Sequence, residues 1–143
     1  MKIQQISLFV ENKPGHLTAP VRLLAEEGVD IRSLYLADTQ QFGIVRMIVS
    51  DWQKAAQILE THGFAVKVTE VLAVEVADRP GGLTGILTVL DGMDINIEYM
   101  YAFPYSRANE AILIFRFSDL DRAMAQLQAA GINLVTSEEL LPK

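Results

Sequence analysis

Between residues 5 and 10 the apolar Ile6, Leu8 and Val10 alternate with Gln5, Ser7 and Phe9, a period of two that commits one face of a strand to a core. Leu17, Val21 and Leu24 then recur at helical spacing as far as Gly28, a residue suited to the left-handed position that ends helices. Pro20 is tolerated because it falls near the first turn of that helix, where a missing N–H costs little. Residues 29–37 and 44–50 are strand-like and are joined by the polar Asp38, Thr39, Gln40 and Gln41, which predicts a hairpin. From Asp51, a candidate N-cap, the residues Ala55, Ile58, Leu59 and His62 share a helix face that closes at Gly63. A last strand over 64–71 completes the order β-α-β-β-α-β.

The same order then returns. Gly15 corresponds to Gly81, Gly28 to Gly92 and Gly63 to Gly131, so the register shifts only where a helix or a loop changes length. Leu8 and Val10 match Val74 and Val76, while Val45, Met47 and Val49 match Leu113, Phe115 and Phe117. The opposite parity is mixed between the halves, which predicts one sheet face held apolar for a helix layer and the other facing solvent or lightly covered. The fold expected is α+β: two ferredoxin-like βαββαβ units in tandem, over 1–70 and 71–143, each an antiparallel sheet with helices on one face. No Gly, Pro or Ser cluster separates them, because 64–77 runs almost unbroken from one unit into the next.

One short stretch is written twice: Asn12, Lys13, Pro14, Gly15, His16, Leu17, Thr18, and Asp78, Arg79, Pro80, Gly81, Gly82, Leu83, Thr84. Each copy joins a strand to a helix. Pro is pre-set near helical φ and Gly lets the backbone pass close to a neighbour, so the stretch reads as a tight turn. Unpaired amides of a first helical turn, with the positive end of the macrodipole, favour a carboxylate or a phosphate.

Half of the 143 residues are hydrophobic, enough for one ordinary core or two very small ones. The net charge of −6 opposes binding to nucleic acid, which calls for an excess of Lys and Arg on one surface. With no cysteine, disulfides, thiolate nucleophiles and Cys-containing metal sites are excluded, and two isolated His residues do not compose a metal site. Residues 1–10 are too short and too broken by Gln4, Gln5 and Ser7 to be a secretory leader, so the cytoplasm is the expected compartment. No apolar run is long enough to span a membrane.

With Gly-Val-Asp-Ile at 28–31 and Gly-Met-Asp-Ile at 92–95 beside the repeated turns, the chain resembles a tandem pair of ACT domains over nearly its whole length. The resemblance implies a small-molecule regulatory module, mostly for free amino acids, that stands alone or serves a biosynthetic enzyme. It implies no cofactor and no catalysis. Ligands of that family sit at the seam between two units, against the strand-helix loop of one and the start of the second strand of its neighbour. By matching motif, the loop positions are Asn12, Gly15, His16 and Leu17, with Asp78, Gly81, Gly82 and Leu83. The second-strand positions are Asp30 and Ile31, with Asp94 and Ile95. The serine-sensing branch carries a His two residues before the loop Asn and an Asn on the strand. Here Val10 and Val76, and Asp30 and Asp94, stand in those places, so serine does not transfer.

An α-amino acid needs donors for its carboxylate and acceptors for its ammonium. The expectation is that amides around 15–17 and 81–83 take the carboxylate and that Asp30, Asp94 or Asp78 takes the ammonium. Against this, the turns could be turns alone, and an Asp after a helix-ending Gly often serves only its own loop. Because Gly82 replaces His16, the two sites are expected to differ. His62, ending a helix, reads as a partner of the helix dipole. Tyr99, Tyr101, Phe103 and Tyr105 would point to one side of an extended strand. They fill a seam, or Tyr99 and Tyr101 form a lid over a ligand, aided by a loop over 104–109.

The leading expectation is therefore an amino-acid sensor, a homodimer acting on a metabolic enzyme or regulator. The alternative is a structural adaptor with degenerate sites. An enzyme is not expected, since no nucleophile–base pair, nucleotide-type Gly-rich loop or metal spacing is present.

Overall fold

The computed structural model describes residues 1–38, 40–107 and 109–141, with the side chains of 38 and 105–107 outside the description. Its elements follow the order β1 (Ile3–Glu11), α1 (Thr18–Glu26), β2 (Ile31–Asp38), β3 (Phe42–Val49), α2 (Trp52–Thr61) and β4 (Ala65–Ala77). Then come α3 (Gly82–Leu90), β5 (Ile97–Arg107), β6 (Glu110–Phe117), α4 (Leu120–Ala129), β7 (Leu134–Val135) and α5 (Ser137–Leu140). The chain divides into two compact units, Gln4–Thr69 and a second made of Met1–Ile3 with Glu70–Lys143.

Local chemistry accounts for the element boundaries. Asp51 accepts the Lys54 amide at 3.1 Å and Asp119 accepts the Arg122 amide at 3.2 Å, so α2 and α4 begin at side-chain caps. Neither α1 nor α3 has such a cap. α1 starts later than the turn motif suggests, at Thr18, which places Pro20 third in the helix, still among positions whose N–H has no intrahelical partner. Gly28, Gly63, Gly92 and Gly131 all adopt positive φ where helices end.

In the amino-terminal unit the strand order is β2-β3-β1, with Leu8 opposite Val45 and Ile6 opposite Met47. Those residues join Leu24, Val29, Ala55 and Leu59 in one core, against which Phe64, Val66 and Val68 also pack. The carboxy-terminal unit repeats the plan as β5-β6-β4-β7, with Val74 opposite Leu113 and Leu72 opposite Phe115. Its core gathers these with Ile86, Leu90, Ala123 and Leu127, and the Phe115 and Phe117 rings stack 5.3 Å apart. Lys2 sits with this unit because its ammonium lies 2.9 Å from Asp121 and 3.9 Å from Glu70.

Three features depart from the sequence reading. The face of mixed composition is buried at its centre: Gln5, Ser7, Ile48, Ala73, Ile112 and Ile114 are all enclosed. The polar pair tolerates this because Gln5 Nε2 donates to Ser7 Oγ at 3.4 Å. The strand over 64–71 and the one after it are a single strand, β4. The short helix α5 follows β7, initiated by a capping box in which Thr136 and Glu139 bond each other's backbone amides.

Candidate functional site

The first turn folds back at the end of β1, where the Asn12 amide donates to the Gln41 carbonyl (3.0 Å) and the Lys13 amide to that of Glu11 (3.0 Å). Gly15 takes φ +81°, and the chain closes as the His16 amide reaches Lys13 (3.2 Å) and the Thr18 amide reaches Gly15 (3.2 Å). Leu17 caps α1 through its backbone while its side chain packs on the core. The His16 amide is thus engaged within the turn. Among the described residues no acceptor is paired with the amides of Gly15 and Leu17.

Beneath this turn lies a pocket of about 480 Å³ inside the amino-terminal unit. Its lining combines the apolar Phe9, Val10, Phe42 and Phe64 with Glu11, Lys13 and His16, and Glu11 lies directly across from Phe42 in the sheet. Phe9 and Phe42, on the cavity wall, are 43% and 53% exposed. The Lys13 ammonium stands 3.3 Å from the Glu11 carboxylate. Both ring nitrogens of His16 are shielded from solvent and have no hydrogen-bond partner. A polar group in that state typically costs about 1–3 kcal/mol, which a ligand able to bond the imidazole recovers.

The second turn begins in the same way, with the Asp78 amide on the Asn109 carbonyl (2.8 Å) and the Arg79 amide on that of Ala77 (2.9 Å). It then departs. α3 starts at once on Gly82, after Gly81 at φ +88°, and a Cβ at 82 would lie 2.0 Å from the Ala77 carbonyl oxygen. No side chain fits there, so this half carries no counterpart of His16. Its cavity of about 460 Å³ is lined by Ala77, Asp78, Arg79, Asn109 and Glu110. Gly81, Gly82 and Leu83 do not line it, and Leu83 is exposed on α3.

Asp30 is exposed, its amide donating to Ser50 Oγ (3.0 Å) and its carboxylate 3.8 Å from Arg32. Ile31 opens β2 and packs against the core. The register puts Ile31 opposite Val49 and Glu11 opposite Phe42, at the two ends of β3. At the strand rise per residue, Asp30 and the turn of its own unit are separated by roughly 20 Å. In the other half the equivalent hydrogen bond, to Ser118 Oγ at 2.9 Å, is made by the Asn96 amide and not by that of Asp94. Asp94 lies before the strand at φ +56°, and Ile95 packs on the core. The motif Gly-Met-Asp-Ile therefore aligns in sequence but not in space. Two further residues precede β5, so Asn96, missed by the motif match, occupies the position of Asp30.

Tyr99, Tyr101 and Phe103 do share a face, opposite Arg116, Ile114 and Ile112, and Phe103 is buried. The Tyr105 side chain and residue 108 of the 104–109 loop lie outside the described residues. Tyr99 pairs at the far end of β6 from Glu110, which flanks Asp78, again roughly 20 Å away. It cannot close over the turn of its own unit, and Tyr101 stands only two residues nearer. His62 Nδ1 lies 2.9 Å from the Ile58 carbonyl at the end of α2, a local contact. Asp121, through a hydrogen bond and its charge, and then Glu70, holds the Lys2 ammonium above its ordinary range; that residue belongs to neither turn. Among the described residues no cluster suited to a metal ion occurs, and no helix is long and apolar enough to cross a membrane.

Comparison with known proteins shows what this architecture is similar to. The family model of an ACT domain pair matches residues 1–142. A solved structure of a protein from Bacteroides thetaiotaomicron is 34% identical, with all of this chain aligned to 98% of that one at a TM-score of 0.91. The ligand-free regulatory subunit of aspartate kinase from Thermus thermophilus shares the fold at 18% identity and a TM-score of 0.63, over 90% of both chains. The same subunit from Thermus flavus is alike at 19% identity and 0.61, also over 90% of both. Among curated proteins no match is found.

Proposed function

The chain belongs to the ACT domain pair family, and from that premise we propose that it is a regulatory module that binds a free amino acid at its strand-to-helix turns, without catalysis of its own. The observation that carries this reading is His16: an imidazole with two shielded, unpartnered nitrogens on the wall of a pocket formed under the repeated turn. In this reading the carboxylate of the ligand is held by the Gly15 and Leu17 amides and by Lys13 or His16, with Asn12 shaping the loop. Since Asp30 stands at the other end of its own unit, an Asp30 side chain that joins Glu11 at the ammonium must come from a unit other than the one whose turn holds the carboxylate of the ligand. A homodimer supplies such units, and Asn96 replaces Asp94 as the strand position to consider in the carboxy-terminal half. Asp78, with Arg79, Asn109 and Glu110 and without Gly81, Gly82 or Leu83, then marks a second site of different chemistry. Binding alters a partner enzyme through a difference in affinity between two states, in the cytoplasm.

Calorimetric titration with each free amino acid tests the proposal. Millimolar or tighter binding is expected for at least one, weakened tenfold or more in His16→Ala. If none binds, the structural adaptor remains; Val10 and Val76, apolar where a sensing branch has a polar residue, favour that second reading.

A further inference from the structure

The two turns are repeats in sequence, yet the cavities beside them differ in kind. Phe9, Phe42 and Phe64 wall the amino-terminal one, and its polar groups, Glu11, Lys13 and His16, all come from the end of β1 and the turn. Among the described residues, the carboxy-terminal one is lined by Ala77, Asp78, Arg79, Asn109 and Glu110, none of them aromatic. We infer that the amino-terminal pocket selects an amino acid with a large apolar side chain, aromatic or branched aliphatic, and that each chain takes one such molecule. This inference rests on the reading that the turns bind free amino acids and adds the class of ligand and the number bound.

The physical grounds are three. An apolar side chain covers part of the surface of Phe9 and Phe42, which line the cavity and are 43% and 53% exposed. A zwitterion matches the adjacent pair of opposite charges, its carboxylate on Lys13 and its ammonium on Glu11, which now face each other at 3.3 Å. The unpartnered His16 nitrogens give a further donor to the carboxylate without displacing an existing bond. A charged or hydroxylated side chain set against the Phe rings would lose hydration, with Glu11 and Lys13 already taken by the ammonium and carboxylate of the zwitterion. Room is sufficient, since about 480 Å³ lies within the range of small-molecule sites. Among the described residues the second cavity has neither ring nor imidazole on its wall, and Gly82 has no space to acquire a side chain.

The test is calorimetry on the full chain with L-phenylalanine, L-leucine, L-serine, L-aspartate and L-lysine, repeated on Phe42→Ser. Because Phe42 is half exposed, that variant is expected to keep the wild-type melting temperature within a few degrees, checked first. Expected are binding of phenylalanine or leucine at one equivalent per chain, at least tenfold tighter than the three polar amino acids, and a tenfold or greater loss in Phe42→Ser. Tighter binding of serine, aspartate or lysine, or two equivalents of the apolar ligand, overturns this inference and leaves the amino-acid reading standing. No binding of any of the five, with none of the remaining amino acids binding either, overturns that reading itself.

Discussion

His16 and Gly82 hold corresponding places in the two turns, and they show how one residue decides what a repeat can do. The imidazole at 16 is enclosed without a partner, so replacing it by Leu, similar in bulk and without polar atoms, should leave the ligand-free protein as stable or up to about 1 kcal/mol more stable. Thermal melting in the absence of amino acids reads that difference, and a marked loss of stability would show that His16 serves structure instead. At Gly82 the constraint is steric. With the Ala77 carbonyl 2.0 Å from an added Cβ, Gly82→Ala should cost about 2 kcal/mol or more in urea unfolding, as overpacking does. At Gly15 nothing lies within 4 Å of an added Cβ, so Gly15→Ala should cost about 1 kcal/mol, from its positive φ alone. Sequence distinguished these glycines only as a pair of turns, because a clash with a carbonyl from the preceding strand has no signature in residue spacing.

Elements were the most legible scale. Asp51 reads as an N-cap in the sequence and caps α2, and the structure adds Asp119 as the cap of α4, so Asp51→Ala and Asp119→Ala should each lower stability by about 1 kcal/mol in chemical unfolding. The inward parity of strands was equally plain, since Leu8 with Val45 and Val74 with Leu113 are cross-strand neighbours in register. Where local patterns misled, hydrogen bonding across the sheet had the last word. Gly-Val-Asp-Ile and Gly-Met-Asp-Ile look alike, yet Ser50 and Ser118 select Asp30 and Asn96. The start of α1 also moved, because the amides of His16 and Thr18 are taken by the turn before a helical ladder can begin.

For the molecule as a whole, each unit has its own apolar core, so Leu59→Ala and Leu127→Ala should each cost about 2–5 kcal/mol through the cavity they leave. Hydrogen exchange locates the effect: faster exchange is expected in β1 and β3 for the first variant and in β6 for the second. The chain's residue order alone determined the duplication, the βαββαβ succession and the turn chemistry. All of these are local properties, written in periods of two and 3.6 residues and in the backbone preferences of Gly and Pro. Tertiary structure alone decided the rest. It set Phe9, Phe42 and Phe64 around one cavity, left His16 unpartnered there, enclosed the mixed sheet face, and put Asp30 and its own turn at opposite ends of a strand. Those relations join residues far apart in the chain, and they follow from strand register and packing, which no short-range spacing encodes.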